Sequence, residues 1–323
     1  MVLLLQEIKL LTFIGGIYTF YLLYAIAQEK ITKTEYGEGE RFTFTFFMLL
    51  IQCTIGGLTA FFCILFSQEK KNTTPQSKFM IIAVLYLAAM FASNAALVYV
   101  PYPTQVLAKA CKPIPVMLVG FLFLRKKYRV LEWLCVLLIV IGIALFLMKD
   151  KPVAHDVDQL HYWIGVGLLL LSLLCDGFTG PLQEKIFASS KPSALRMMML
   201  NNLYASIICF VCAFVFTNQG MRAIEFCQKY PEVWQYLGIA SVLAALGQVC
   251  IFLLVSQFGA LACSITTTTR KFFTILVSIL YYGHQLSDKQ WLGVFLVFIG
   301  LSVHVAYGKM KQRPANQKKH EEQ

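Results

Sequence analysis

Acidic side chains are scarce in this chain. Its 323 residues hold 17 Asp and Glu against 28 Lys and Arg, and charged residues of either sign make up only 14%. So little charge beside 58% hydrophobic residues, with a mean hydropathy of +0.66, excludes an ordinary soluble domain and points to a polytopic membrane protein. A Walker phosphate loop and paired catalytic carboxylates are missing, so nothing suggests nucleotide hydrolysis or glycosyl transfer, and no enzyme is expected. Zinc-type cysteine pairing is missing too. The ten cysteines are scattered, and Cys209-x-x-Cys212 reads as two small hydrophobes in an apolar run. Neither a metal nor a cofactor is expected. No small-residue cleavage site follows the first apolar run; the polar stretch QEKITKTEYGEGER does, so the run is expected to remain as a span. No long linker interrupts the chain, so no extramembrane domain is expected. The net charge of +11 reports orientation in the lipid bilayer first, and no nucleic-acid partner is expected.

What the chain has in plenty is apolar runs. Ten are expected to cross the bilayer: 9–27, 42–66, 79–100, 104–124, 130–148, 162–182, 197–217, 233–256, 260–282 and 290–308. A spanning helix takes about 20 residues. The connections at Pro101–Pro103 and Gln257–Gly259 are so short that the spans they join are expected to be antiparallel neighbours. With the N-terminus cytosolic, same-side segments hold 16 Lys and Arg and the opposite loops 8. Cytosolic loops carry the excess of cations, so both termini are placed in the cytosol. That orientation makes the one glycosylation sequon, Asn72-Thr73-Thr74, cytosolic and therefore unmodified. A glycosidase-sensitive gel shift that disappears in Asn72→Gln would reverse the orientation.

Four cations remain, all inside spans: Lys109 and Lys112 in the fourth, Arg270 and Lys271 in the ninth. Each costs about 2.5–3.5 kcal/mol at bilayer depth, so such residues mark a substrate or ion path. The alternative is that they snorkel to a membrane surface. The ninth span, GALACSITTTTRKFFTILVSILYY, brings Thr266 to Thr269 straight into Arg270. In the fourth, Lys109 and Lys112 share a helix face, and Pro113 and Pro115 should break the helix just beyond them. Few acids lie inside the spans to neutralise the four cations: Asp176 is one candidate, while Glu29 and Glu184 sit at span ends.

The two cation-bearing spans are related. Gln28-Glu29-Lys30-Ile31 recurs as Gln183-Glu184-Lys185-Ile186. Trp133 and Gly142 recur as Trp291 and Gly300, 158 residues on, and the same offset carries Lys112 to Arg270. The expected division is therefore 1–150 and 151–323, two five-span copies. Five is odd, so the copies insert with opposite topology, an arrangement that builds a central substrate site at the repeat interface. Lys112 and Arg270 are expected to face one cavity. A surplus of fixed positive charge there calls for an anion. Arg forks two oxygens and Lys acts as a mobile point charge, which suits a di- or triphosphate better than a lone carboxylate.

The stretches YPTQVLAKACKPIPVMLVG (102–120), QEKIT and SITTTTRKFFTILVS (264–278) resemble the nucleotide-sugar transporters of solute carrier family 35, B subfamily, within the drug/metabolite transporter superfamily. The likeness covers essentially the whole chain. It implies an all-α fold of ten transmembrane helices in an inverted 5+5 repeat, and antiport by alternating access. It also implies that Lys109, Lys112, Arg270 and Lys271 hold phosphates, with Gln105, Glu29 and Thr267 contributing. The implied activity is exchange of ATP against ADP across the endoplasmic-reticulum membrane. UDP-galactose or UDP-glucose against UMP is the alternative, and a scaffold or receptor with structural cations a third reading. The C-terminal KKHEEQ places its lysines too far from the end for a dilysine retrieval signal, which leaves the Golgi as the alternative address.

Overall fold

The computed structural model describes residues 2–37, 39–66, 75–96, 99–100, 105, 108–147, 159–281 and 287–303. The sequon at 72–74, the connection at 101–104 and the tail from 304 lie outside them. Ten helices are named here: α1 (Val2–Lys33), α2 (Thr45–Phe66), α3 (Gln76–Ala96), α4 (Pro113–Leu122), α5 (Val130–Leu147), α6 (Gln159–Ser190), α7 (Ala194–Val211), α8 (Gln219–Lys229), α9 (Glu232–Tyr281) and α10 (288–303). Helices suit lipid because each satisfies its own backbone hydrogen bonds. Six stretches among the described residues are long and apolar enough to cross a membrane: Leu5–Thr32, Thr45–Phe66, Gln76–Ala96, Tyr162–Ser190, Ala194–Phe216 and Glu232–Arg270. Pro113–Leu122 and Val130–Phe146 are shorter apolar helices. Outward-facing Leu11, Phe62, Leu170 and Phe295 are the side chains a lipid contact requires.

The expected spans shift at several ends. α1 and α6 run well beyond 9–27 and 162–182. The seventh ends in a π-helical turn, Cys212–Phe216. The boundary between the eighth and ninth is a single residue, Gly259, whose φ of 88° and ψ of 170° break α9. Such a φ suits glycine because it carries no Cβ.

The chain divides into two compact units, each assembled from two stretches: Met1–Ala88 with Thr179–Arg270, and Ala89–Phe178 with Lys271–Gln323. This is a division of contacts in space, whereas 1–150 and 151–323 is the division expected from the repeated sequence motifs.

In the first unit, Ile17, Ala60, Phe79, Ile82, Ile186, Met197, Met198, Phe252 and Leu254 form one core. A second cluster covers one end. Tyr36, Phe42 and Phe44, from the segment joining α1 to α2, pack on Phe226 of α8 and on Val233 and Leu237 of α9. α8 is amphipathic: Gly220, Ala223, Phe226 and Cys227 face in, and Met221, Arg222 and Glu225 face out. Burial pushes the Cys227 thiol up to about 11, so it stays neutral. Lys229 Nζ donates to Glu40 Oε1 at 2.7 Å, and this bond raises the lysine pKa.

Gly37 makes the turn in that segment possible. Its φ is +53°, and a Cβ added there would stand 2.2 Å from the Tyr230 hydroxyl. Gly37→Ala should destabilise by about 1–3 kcal/mol, from the left-handed backbone and the overlap together. Combining it with Tyr230→Phe removes the hydroxyl and should recover part of the loss. Thermal melts of the purified variants measure both; an unchanged melting temperature in Gly37→Ala would contradict the turn described here.

In the second unit, α5 and α10 run antiparallel at backbone contact. A Cβ on Gly142 would lie 2.7 Å from the Gly293 carbonyl oxygen and 2.9 Å from the Val297 nitrogen; one on Gly300 would lie 2.8 Å from Ile139 Cγ1 and 3.0 Å from the Cys135 oxygen. α10 opens with a capping box, Gln290 N donating to Ser287 Oγ at 3.4 Å and Ser287 N to Gln290 Oε1 at 3.1 Å. Phe146 stacks edge-on to Phe272, with ring centroids 4.9 Å apart.

Candidate functional site

Lys109 and Lys112 belong to the second unit, and the prolines after them set their geometry. Proline has no N–H to offer a preceding turn, so a helix starts readily at one and continues through one poorly. Residues 108–110 are helical, 111–112 form a turn, and α4 begins at Pro113. The break that the sequence leads one to expect falls there. Gly177 of α6 lets that turn come close, since a Cβ at 177 would lie 2.9 Å from Pro115 Cβ and 3.1 Å from its carbonyl oxygen.

This close approach brings Ser172 and Asp176 of α6, one helical turn apart, against the two lysines. Lys109 Nζ donates to Asp176 Oδ2 at 2.7 Å and to Ser172 Oγ at 2.6 Å. Lys112 Nζ donates to Asp176 Oδ1 at 3.1 Å. Ser172, itself wholly buried, donates its hydroxyl hydrogen bond to the Ala89 carbonyl oxygen. One carboxylate therefore holds both ammonium groups, and Lys109, Lys112 and Asp176 together carry one positive charge. Asp176 is 14% exposed, Lys109 16% and Lys112 32%, so Lys112 is the most open of the three.

Arg270 belongs to the first unit. Its guanidinium lies over the Tyr21 ring, 5.4 Å from the centroid, and Nη1 is 3.5 Å from the Tyr21 carbonyl oxygen to which it donates. The planar cation is attracted to the negative face of the ring. One turn before Tyr21, Tyr18 Oη shares a hydrogen bond with Thr269 Oγ1 at 2.9 Å. The helix that carries Arg270 is held at its start. Glu184 Oε2 accepts from Ala260 N at 3.0 Å, directly after the Gly259 break. A carboxylate at a helix N-terminus satisfies an otherwise open N–H and complements the dipole.

The other residues singled out from sequence have more local roles. Gln105 is buried, and its Nε2 donates to the Ser93 carbonyl at 2.8 Å and to Ser93 Oγ at 3.0 Å. Thr267 Oγ1 bonds back to the Cys263 and Ser264 carbonyls of its own helix, at 2.9 and 3.1 Å. Glu29 and Lys271 are helical, and their side chains lie outside the described ones. Sequence reading passed over Ser172, Tyr18 and Tyr21. The signals were there, in a serine four residues before an intramembrane Asp and tyrosines three apart on the first span.

The UAA transporter family matches residues 9–308. Solute carrier family 35 member B1 of Xenopus tropicalis is 42% identical over 312 residues, 95% of this chain and 96% of that protein. The Bos taurus protein of the same name is 43% identical over 298 residues, covering 91% and 92%. The Drosophila melanogaster homolog is 42% identical over 302 residues, covering 91% and 89%. A solved crystal structure, 13% identical, aligns over 90% of this chain and 97% of its own with a TM-score of 0.58, which is a likeness of fold alone. By a match that spans nearly its whole length, the chain belongs to the UAA transporter family.

Proposed function

We propose that this protein is a nucleotide antiporter of the endoplasmic-reticulum membrane, exchanging ATP for ADP by alternating access. Lys109, Lys112, Arg270 and Lys271 hold the substrate phosphates, and Gln105, Glu29 and Thr267 contribute. The observation that carries this reading is the lysine pair on Asp176, two ammonium groups gathered inside the helices of a transporter-family chain. Charge placed there is expensive unless it has a task.

Ten spans in two inverted repeats, 1–150 and 151–323, with both termini cytosolic, complete the proposal. The α5–α10 contact supports the repeat. An offset of 158 residues carries Gly142 to Gly300, Cys135 to Gly293 and Ile139 to Val297. Gly142 meets Gly293 and Val297, while Gly300 meets Cys135 and Ile139. Each contact is thus answered by its own counterpart, as two copies related by a twofold axis require. A second support is parity. The segment between α1 and α2 packs with α8, which follows α7. Both therefore lie at one membrane face, and the chain from α2 to α7 crosses an even number of times, six in the ten-span reading.

Asp176 also favours a second reading. By taking one charge from the lysine pair it brings the site closer to the lower charge of a diphosphate sugar, so exchange of UDP-galactose or UDP-glucose against UMP is the competing activity. Counterflow into liposomes with purified protein separates the two. Labelled ATP should accumulate against ADP and outcompete both UDP-sugars; accumulation of a UDP-sugar against UMP, with no ATP uptake, would replace the first reading by the second.

A further inference from the structure

Asp176 sits on the two lysines that the proposed function gives to phosphate, and it cannot share them fully with an incoming anion. We propose that Asp176 is a resident counter-ion of the phosphate site: it holds Lys109 and Lys112 in the substrate-free protein, and a phosphate must take at least one of them from it. This rests on the reading of the lysines as phosphate ligands.

The geometry says which lysine moves. Lys109 is held twice, by Asp176 Oδ2 and by Ser172 Oγ, and Ser172 is anchored in turn to the Ala89 carbonyl. Lys112 Nζ stands farther from the Asp176 carboxylate, at 3.1 Å against 2.7 Å, and has twice the exposure of Lys109. A lysine ends a flexible four-carbon stem, whereas Asp176 has a short side chain fixed on α6. Lys112 is therefore the group that swings from carboxylate to phosphate while Lys109 stays. The exchange is of one anionic partner for another, so the ammonium never loses its counter-charge at depth.

Two consequences follow. Asp176 weakens anion binding, because part of the attraction is already spent on it. It also spares the empty site the repulsion of two ammonium groups three residues apart, and so makes reorientation without substrate less costly. A structural strut would act in the opposite sense: its loss would displace the lysines and weaken binding.

The test uses the full chain in lipid nanodiscs, titrated with inorganic pyrophosphate by calorimetry. A charge-assisted hydrogen bond is worth enough that Asp176→Asn should bind pyrophosphate roughly tenfold tighter than wild type. Asp176→Ser, which removes the charge with a different shape, should tighten it as well and covers the case in which the amide variant does not fold. Asp176→Glu keeps a carboxylate and should stay near wild type. Equal or weaker binding in the folded neutral variants, or no pyrophosphate binding in any of them, overturns the counter-ion. Counterflow on the same preparations keeps the two ideas apart. Wild-type nucleotide exchange without tighter binding in the variants removes the counter-ion and leaves the transporter. Tighter binding in a protein that exchanges neither nucleotides nor nucleotide sugars removes the transport reading and leaves the counter-ion.

Discussion

Gly142→Leu should leave little correctly folded protein. The α5–α10 contact is backbone against backbone: the added Cβ would stand 2.7 Å from the Gly293 oxygen and 2.9 Å from the Val297 nitrogen, and neither is the flexible end of a side chain that can turn away. Helices in lipid gain nothing from burying apolar surface against each other, so close packing of small residues carries much of their association. Pushing them apart forfeits those contacts, and overpacking of this kind costs about 1–3 kcal/mol for a small group and more for a large one. Gly142→Ala should sit between wild type and Gly142→Leu. Gly293→Leu should match Gly142→Leu, since a Cβ at 293 would lie 2.5 Å from the Gly142 oxygen. The control is Gly167→Leu on exposed α6 surface, where nothing stands within 4 Å of the added carbon. Fluorescence-detected size exclusion of the solubilised variants gives the yield of monodisperse protein. Normal yield and melting temperature in Gly142→Leu would mean that α5 and α10 do not meet this closely.

The glycines also mark what could be read in the sequence. Trp133 with Gly142, repeated as Trp291 with Gly300, pointed to a duplication, and in the structure both glycines lie where α5 and α10 meet at backbone contact. The break at Pro113 was legible because proline chemistry is local. So was the shared face of Lys109 and Lys112, which follows from helical spacing. Asp176 could be named as a candidate neutraliser, but not as the partner of both lysines. That depends on Gly177 admitting the proline turn, a contact between segments some sixty residues apart. The ends of α1 and α6 were misjudged because apolar runs measure lipid contact and a helix can continue beyond it. Tyr18 and Tyr21 were visible as tyrosines three apart on the first span, but nothing local ties Tyr21 to Arg270, some 250 residues on.

Removing one cation should cost both binding and exchange. In Lys112→Ala a phosphate loses a charge-assisted contact, typically worth about 1.5–3 kcal/mol, or roughly tenfold to a hundredfold in affinity. The same change leaves Asp176 with Lys109 alone, a tighter pair that offers less to an incoming anion. Arg270→Ala should act with similar size by a different route. Arginine binds phosphate through two parallel N–H bonds that no water restores, and its planar group is set in advance by the Tyr21 ring beneath it. Arg270→Lys keeps the charge and loses the fork, so it should recover only part of the activity. Thr59→Ala is the control: Thr59 lies on α2, and its hydroxyl bonds back to the Ile55 carbonyl of its own helix at 2.8 Å. On the proposed exchange mechanism, substrate offsets the positive charge that Asp176 leaves over and so lowers the cost of turning the site over. A weaker phosphate site therefore lowers the exchange rate as well as the affinity, and extra substrate should restore only the second. The measurement is ATP uptake into ADP-loaded liposomes at equal protein density across a range of ATP concentrations. If Lys112→Ala and Arg270→Ala match Thr59→Ala in both half-saturation and maximal rate, the phosphates are held elsewhere.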